Sequence, residues 1–551
     1  MLETTVTTDR ASKGLARPVS RVFLAASVLL ILLATSLRLY HIAQRSLWLD
    51  EAIAANISRG TLAQTLILVR GLHSAPITHP LILYAVEKIS AGPLAVRLPS
   101  LVASLLAVVL MLYLATIPSI DYKTAGLSAL MLSISAAQVR YAQEVREYSL
   151  SVLYAVMLLY AFLSYTLNRE EEDNSPLALY VTLFVAPFVQ YGLVLFSFGI
   201  LAALGILALI DRQRRGSIWA IVKASGFLAL GGLLSFFLTV RYQWGEVAWY
   251  LADFYYTPGT SFLRFAVSNS HHLLTFFLPG LAAASISVIA ILVHLGTAIR
   301  ARSVCPLTVV AFTSVGTVLV CASLHLYPYG AIRQCLFLAP VLCLFASASL
   351  ASLANRFRGA VSWAVFAAMV CVIVGSGALQ FRKVKPYAEV EDIQQVLLAL
   401  RTRVQPGDRV YVYPGAVPAV DFYVKQRDGR FIYGDFHQQM PQQHVLQILA
   451  HLSPQNDKLW IVFSHIYRDE DERILHDLRA DWKVDPVLSV TGSALYYACH
   501  RSVVVHDAAT NSDRAIEKPS TVADPARDSY WEWSVRNSRY PGELAALPPH
   551  S

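Results

Sequence analysis

The sequence predicts a polytopic α-helical membrane protein with about eleven transmembrane helices, followed by a small soluble α/β domain. The chain has 551 residues, of which 55% are hydrophobic, and its mean hydropathy is +0.48. An ordinary soluble domain is about 45–50% apolar. The excess lies in long uncharged runs before residue 381. A helix that crosses a bilayer needs about 20 such residues, so these runs predict membrane spans.

Ten uncharged runs precede residue 381, and one of them is too long for a single helix. Their bounds are 22–37, 98–117, 124–139, 149–168, 177–210, 224–240, 273–295, 306–326, 334–353 and 360–381. The run 177–210 contains the polar, turn-capable sequence Gln190-Tyr191-Gly192 near its middle. We therefore expect two helices joined by a tight hairpin there, which brings the number of spans to about eleven.

Lysine and arginine residues in the short hinges predict the orientation of the spans. The basic N-terminus and the hinges 211–215, 300–302 and 355–358 all fall on one side if there are eleven spans. Short basic loops stay in the cytoplasm, so that side is predicted to be cytoplasmic. The net charge of +8 is then a topology signal, and we do not expect the protein to bind nucleic acid.

The opposite, extracytoplasmic face of the cytoplasmic membrane is predicted to carry the first outer loop, 40–96, the hinge 140–148 and everything after residue 381. Segment 382–505 alternates between helical and strand patterns, which predicts a soluble α/β domain. Residues 506–551 are polar and are predicted to be mostly disordered. The chain is thus divided into a membrane domain (1–381), a soluble domain (382–505) and a tail (506–551).

Two adjacent carboxylates, Asp50 and Glu51, lie just after the first predicted span. Burying charge at the membrane edge is costly, so such residues need a function or a structural partner. A carboxylate can take a proton from an attacking hydroxyl as a general base. The structural alternative is that Asp50 caps the helix that begins near Glu51. The pair alone does not decide between these roles.

Several stretches of the membrane domain resemble, in the same order, the signatures of the GT-C superfamily of membrane glycosyltransferases. The most similar groups are the bacterial protein O-mannosyltransferases, the aminoarabinose transferases and the Rgt-like proteins. The matching stretches are Ser46-Leu47-Trp48-Leu49-Asp50-Glu51-Ala52, His79-Pro80-Leu81 followed by Tyr84, Arg97-Leu98-Pro99-Ser100, Arg140-Tyr141-Ala142-Gln143-Glu144-Val145-Arg146-Glu147-Tyr148, and Tyr327-Pro328-Tyr329-Gly330 with Arg333. A second proline that the family has after the histidine is missing here. The resemblance covers most of residues 20–380.

This resemblance implies an inverting glycosyltransferase that takes a sugar from a polyprenyl-phosphate donor in the bilayer. The acceptor would be a glycan, a lipid or a protein. Asp50 would be the general base, with Glu51 beside it as a second, supporting catalytic residue. Arginine is suited to the donor phosphate because it is always charged and offers a bidentate fork. The residues that would bind the donor phosphate or sugar are Arg146, Arg333, Gln143, Glu144, Tyr148 and His79.

Alternatives remain for these residues and for the function. Arg333 could be an interfacial anchor, and Arg146 could pair only with Glu144 or Glu147. The sequence shows no metal-ligand cluster beyond the carboxylates, so no cofactor is certain and a divalent metal is left open. A transporter or flippase for a lipid-linked glycan, or a non-catalytic membrane scaffold, could have the same number of spans. The sequence shows no internal repeat, which makes a transporter less favoured.

Overall fold

The structure is a computed structural model that describes residues 20–72, 75–167, 176–210, 218–243, 249–424, 430–434 and 458–500. The predicted disordered tail, 506–551, and the basic hinge 211–215 lie outside the described residues.

Helices dominate the first part of the chain, and three short helices follow the first span on the way to the second. The helices are α1 (Arg21–Leu39), α2 (Leu49–Ile57), α3 (Leu62–Leu72), α4 (Thr78–Glu87), α5 (Pro93–Tyr113), α6 (Tyr122–Ile134), α7 (Ala136–Ala142), α8 (Tyr148–Leu167), α9 (Leu177–Val189), α10 (Gly192–Ile210), α11 (Ile218–Ser235), α12 (Phe262–Phe277), α13 (Gly280–Ala301), α14 (Pro306–Ser323), α15 (Ala339–Ala354) and α16 (Ala360–Val384). A 3₁₀ segment, Arg333–Leu338, leads into α15.

Nine helical segments within the described residues are long and apolar enough to cross a bilayer, so the protein is a multi-pass membrane protein. Two further predicted spans appear as shorter helices. The chain at Ser135 is extended (φ −69°, ψ 124°) and separates α6 from α7. Helix α9 ends at Val189 because Gln190 is extended (φ −164°, ψ 139°), and α10 begins at Gly192, where the hairpin was predicted. A Cβ on Gly192 would lie 2.1 Å from the ring of Phe337, so this close turn needs glycine.

The soluble domain is a five-stranded mixed sheet with helices. Its helices are α17 (Ile393–Arg403), α18 (Val417–Tyr423) and α19 (Glu470–Leu478), and its strands are β1 (Arg409–Val412), β2 (Phe431–Tyr433), β3 (Lys458–Ser464), β4 (Trp482–Val490) and β5 (Ser493–His500). The strand order is β2-β1-β3-β5-β4. Strand β1 pairs in parallel with β2 and β3, and β5 pairs antiparallel with β3 and β4. The predicted fold class of membrane helices followed by an α/β domain is therefore confirmed.

One hydrophobic core joins the first outer loop to the soluble domain. Leu47 and Ala52 of the loop are buried together with Val396, Val412 and Val420 of the soluble domain. A polar contact reinforces the junction: the amide of Leu47 donates a hydrogen bond of 2.8 Å to the hydroxyl oxygen of Tyr423. The soluble domain is thus packed directly on the loop that carries Asp50 and Glu51.

Candidate active site

Helix α2 presents Asp50 and Glu51 in its first turn, immediately after the chain leaves α1. The helix begins at Leu49, and the side chain of the preceding Trp48 makes no capping hydrogen bond. A carboxylate from the soluble domain takes this place: Oε2 of Glu391 accepts a hydrogen bond of 3.1 Å from the amide of Leu49. Asp50 lies within the turn, so its carboxylate is available for contacts other than the cap.

The Asp50 carboxylate faces two arginines from distant parts of the chain. Its Oδ2 accepts a hydrogen bond of 2.8 Å from Nη2 of Arg333 and lies 4.0 Å from Nη1 of Arg146. The Asp50 side chain is 23% exposed, so it remains reachable from solvent. Burial alone would raise the pKa of Asp50, but the charges of Arg146 and Arg333 outweigh it and lower that pKa. Asp50 is therefore ionised and already paired.

Arg146 is buried, yet its guanidinium makes no hydrogen bond to any residue that the structure describes. Its nearest carboxylates are Glu147, with Nε 3.6 Å from Oε2, and Asp50. The guanidinium carbons of Arg146 and Arg333 lie 5.7 and 5.5 Å from the ring centre of Tyr148. The two guanidinium groups thus converge on one aromatic side chain, and the buried Nε of Arg146 has no hydrogen-bond partner. Buried donors without partners are rare and call for an explanation such as a bound ligand.

His79 adds a second buried group without hydrogen-bond partners, and it lies within the electrostatic reach of Arg146. Both ring nitrogens are buried and lack a hydrogen-bond partner among the described residues. Burial, and then the charge of Arg146, lowers the pKa of His79 to about 3, so the ring is neutral. A neutral imidazole can donate one hydrogen bond and accept another. Either ring nitrogen of His79 is accordingly free to bond a polar ligand that reaches it.

Glu51 has different surroundings, although it is the next residue. It forms an enclosed bidentate ion pair with Arg97, with oxygen–nitrogen distances of 2.8 and 3.0 Å, and both side chains are fully buried. Its Oε1 also accepts from the amide of Val145, 2.9 Å away. Arg97 in turn donates to the carbonyls of Ile42, Arg45 and Ser46. Glu51 therefore fixes the loop and the 140–148 hinge in place rather than facing the open site.

The other two residues of the predicted donor-binding hinge also have partners within the protein. Gln143 is buried, accepts from Arg45 and donates to the carbonyls of Arg38 and Tyr40. Glu144 pairs with Arg140 at 3.1 Å, and burial raises the pKa of the Glu144 carboxyl. The structure thus brings Asp50, Arg146, Arg333, Tyr148 and His79 together, with Gln143 and Glu144 behind them.

Two residues of the soluble domain border this site and were not predicted from the sequence. Glu391 contacts the first turn of α2, and His465 hydrogen-bonds to Glu391 with 2.6 Å between Nδ1 and Oε1. In the sequence, Glu391 and His465 are an isolated glutamate and histidine in a domain without a recognised motif, so nothing near them indicated a site. Their position at the site depends on packing between segments more than 300 residues apart. The spacing of apolar residues along the chain predicts helices and strands but not such distant contacts.

The Asp50 environment does not fit a divalent cation, because its nearest charged neighbours are two guanidinium groups. Across the described ranges, no three histidine, cysteine, aspartate or glutamate side chains are grouped closely enough to hold a metal ion.

Comparison with known proteins gives the fold. No protein-family model and no curated protein matches the sequence. The structure resembles ArnT from Cupriavidus metallidurans bound to undecaprenyl phosphate, with 15% identity, a TM-score of 0.51 and coverage of 86% of this chain and 97% of that chain. The apo form of the same ArnT matches at 13% identity and a TM-score of 0.51, over the same shares of the two chains. An oligosaccharyltransferase from Archaeoglobus fulgidus also matches, at 12% identity and a TM-score of 0.47, covering 80% of this chain and 69% of that chain. The similarity to ArnT, at a TM-score of 0.51, confirms the expected fold.

Proposed function

We propose that the protein is a glycosyltransferase that moves a sugar from a polyprenyl-phosphate donor to a glycan, lipid or protein acceptor. The observation that carries the proposal is the pair of guanidinium groups, Arg146 and Arg333, that meet at the Asp50 carboxylate and the Tyr148 ring, with the buried Nε of Arg146 lacking a hydrogen-bond partner. The fold supports it, because ArnT, which has the same fold, binds undecaprenyl phosphate.

The two arginines form the donor-phosphate site in this proposal. A phosphate monoester or diester offers oxygens that match the bidentate fork of arginine. Arg146 has free donors for it, and Arg333 can exchange its contact with Asp50 for a phosphate oxygen. Tyr148, under both guanidinium groups, fixes their separation. His79 contributes one further hydrogen bond to the phosphate or the sugar.

Asp50 is the general base, and its activity depends on the donor. In the absence of donor the two arginines hold its pKa low, so it is a weak proton acceptor. When the donor phosphate takes over Arg146 and Arg333, this stabilisation of the carboxylate is reduced and the pKa rises. Asp50 then takes the proton of the acceptor hydroxyl as the oxygen attacks the anomeric carbon. The bond from that carbon to the phosphate oxygen breaks, the lipid phosphate leaves, and the single displacement inverts the anomeric centre.

The reaction is assigned to the outer face of the cytoplasmic membrane, with the N-terminus in the cytoplasm. The assignment rests on the short basic hinges and on the soluble domain, which packs on the same loop as Asp50. Reporter fusions at residues 303 and 357 should be cytoplasmic, and fusions after residue 385 should be extracytoplasmic. A cytoplasmic soluble domain would contradict the assigned face.

The phosphate site is tested by the affinity of the purified protein for undecaprenyl phosphate, with undecaprenol as the probe that lacks phosphate. Arg146→Lys should bind undecaprenyl phosphate about tenfold more weakly, because it loses about one charge-assisted hydrogen bond. The matched control is Arg264→Lys on α12, where the arginine is exposed and far from Asp50 in sequence. Equal affinity of wild type, Arg146→Lys and Arg264→Lys would contradict the proposal. Lipid and glycan profiles of a strain that lacks the protein would then identify the sugar and the acceptor.

A further inference from the structure

His465 brings an imidazole from the soluble domain to the edge of the candidate active site. Its ring centre is 6.3 Å from that of Trp48. The guanidinium carbon of Arg333 lies 5.3 Å from the centre of the same indole. His465 and Arg333 therefore flank Trp48, the residue two positions before Asp50.

The backbone of His465 is held in an unusual conformation. The residue follows β3 directly and has a φ of 49°, in the left-handed region that residues other than glycine rarely adopt. Gly415 packs behind it, where a Cβ would lie 2.6 Å from the His465 carbonyl oxygen. Such costly conformations persist when the surrounding structure fixes them, and they concentrate at functional sites.

Glu391 fixes the ring of His465 and its protonation pattern. Its carboxylate is buried, with Oε1 bonded to Nδ1 of His465 and Oε2 accepting from Ser464 and from the Leu49 amide. A carboxylate on Nδ1 keeps the proton on that nitrogen and turns Nε2 outward. Nε2 has no hydrogen-bond partner among the residues that the structure describes, and the side chain is 41% exposed.

We propose that His465 is a third cationic group of the donor-phosphate site and the acid that protonates the departing lipid phosphate, with Glu391 as its positioning residue. This inference rests on the proposed function, because it assigns one step of that reaction. It makes the soluble domain a part of the active site.

The proposed step is balanced in protons and electrons. The acceptor oxygen bonds to the anomeric carbon and gives its proton to Asp50. The bond between that carbon and the phosphate oxygen breaks, the electron pair stays on the oxygen, and Nε2 of His465 gives that oxygen a proton. A proton that returns from Asp50 to His465 through water restores both groups.

The charges around the two residues match these roles. Burial alone would lower the pKa of His465, but Glu391 and Asp50 outweigh it and raise that pKa, while Arg333 opposes them. Asp50 has its pKa lowered. Titratable groups whose pKa values are moved apart in this way are the usual acid and base partners in an active site.

The test is the affinity of the full-length protein for undecaprenyl phosphate, the leaving group itself, measured against pH. The wild type should bind more tightly as the phosphate becomes dianionic, near its second pKa of about 6. It should then bind more weakly as the pH rises through the pKa of His465, because one cation is lost.

Two variants separate a phosphate contact from a structural role. His465→Gln should bind about tenfold more weakly near neutral pH, the loss expected for one charge-assisted hydrogen bond. The affinity of His465→Gln for undecaprenyl phosphate should also no longer fall at high pH. Glu391→Gln keeps an oxygen for the Leu49 amide but removes the charge, so the high-pH weakening should move about one to three units lower. If His465→Gln does not fold, the shift in Glu391→Gln decides alone.

His476 provides the matched control, because its Nδ1 also contacts a carboxylate of the soluble domain, 3.3 Å away on Asp477, but its side chain is 87% exposed. His476→Gln should leave the pH dependence unchanged. Unchanged high-pH weakening in both His465→Gln and Glu391→Gln would overturn the inference and leave the proposed function standing. A wild type that fails to bind undecaprenyl phosphate at any pH would overturn both.

Discussion

The two sides of the first turn of α2 hold neighbouring carboxylates in opposite conditions. On one side, Glu51 and Arg97 are fully buried and every contact is made within the protein. On the other, Asp50 is 23% exposed and shares two arginines, one of which has no hydrogen bond to the described residues. The first pair is closed and the second is open to a ligand.

This difference separates a structural ion pair from a candidate reaction centre more clearly than residue type does. A closed, fully satisfied pair stabilises one arrangement of the loop and the hinge, because removing either partner leaves a buried charge. An open pair can exchange a protein partner for a substrate phosphate at little cost. The comparison therefore predicts that changes on the Glu51 side affect folding and changes on the Asp50 side affect chemistry.

The largest expected effect is on folding, from removing the charge that neutralises Glu51. Arg97→Met should destabilise the protein by about 3–5 kcal/mol, because it leaves the Glu51 carboxylate buried without a partner. The measurement is the yield and thermal unfolding of the purified protein, with Arg264→Met as the exposed control. Normal yield and stability of Arg97→Met would show that the closed pair is not structural.

The next effect is on the rate of sugar transfer. Asp50→Asn should fold normally but transfer sugar about a hundredfold to ten-thousandfold more slowly, the usual range for loss of a general base. Glu51→Gln should retain more activity per folded molecule and lose yield instead. Release of undecaprenyl phosphate from undecaprenyl-phosphate-linked mannose, arabinose and aminoarabinose would measure both rates. Near wild-type turnover by Asp50→Asn would assign the base to another group, with Glu144 and Glu147 next.

The smallest effect concerns stability against pH at the junction of the two domains. Burial raises the pKa of Glu389 to about 7, and one of its oxygens lacks a partner among the described residues. The folded pKa exceeds the unfolded value of about 4.3, so the folded state is the one that holds the Glu389 proton more tightly. The contribution of this protonated carboxyl to the free energy of unfolding is complete below about pH 4.3 and is lost as the pH rises through about 7.

We expect the wild type to unfold at a lower temperature at pH 8 than at pH 5. In Glu389→Gln this drop should be smaller by a few degrees, because the neutral amide does not titrate. Glu472→Gln, on the exposed face of α19, is the matched control and should behave as the wild type does. An identical drop in Glu389→Gln and wild type would show that Glu389 titrates normally.

The sequence predicted the features that depend on local pattern. Uncharged runs predicted the membrane helices, and Gln190-Tyr191-Gly192 predicted the turn between α9 and α10, because a polar, glycine-containing stretch cannot continue a membrane helix. The family resemblance of the first-loop and hinge motifs assigned Asp50 and Arg146 to one site on the outer face. The structure brings them to 4.0 Å.

Features that depend on distant packing were not predicted. Strand β2 has only three residues, and β4 contains Pro486 within an irregular register, so neither gives a clear alternating pattern. The different surroundings of Asp50 and Glu51 depend on Arg97 and Arg333, which come from other parts of the chain. The contact of His465 with the site depends on the core shared between the first outer loop and the soluble domain.

The exchange of Asp50 for a donor phosphate at the two arginines is tested most directly by the affinity of Asp50→Asn for undecaprenyl phosphate at pH 7. Asparagine carries no charge to compete for Arg146 and Arg333, so the account predicts that Asp50→Asn binds undecaprenyl phosphate more tightly than the wild type while transferring sugar more slowly. Equal or weaker binding by Asp50→Asn would contradict the account, because Asp50 would then not occupy the place of the phosphate.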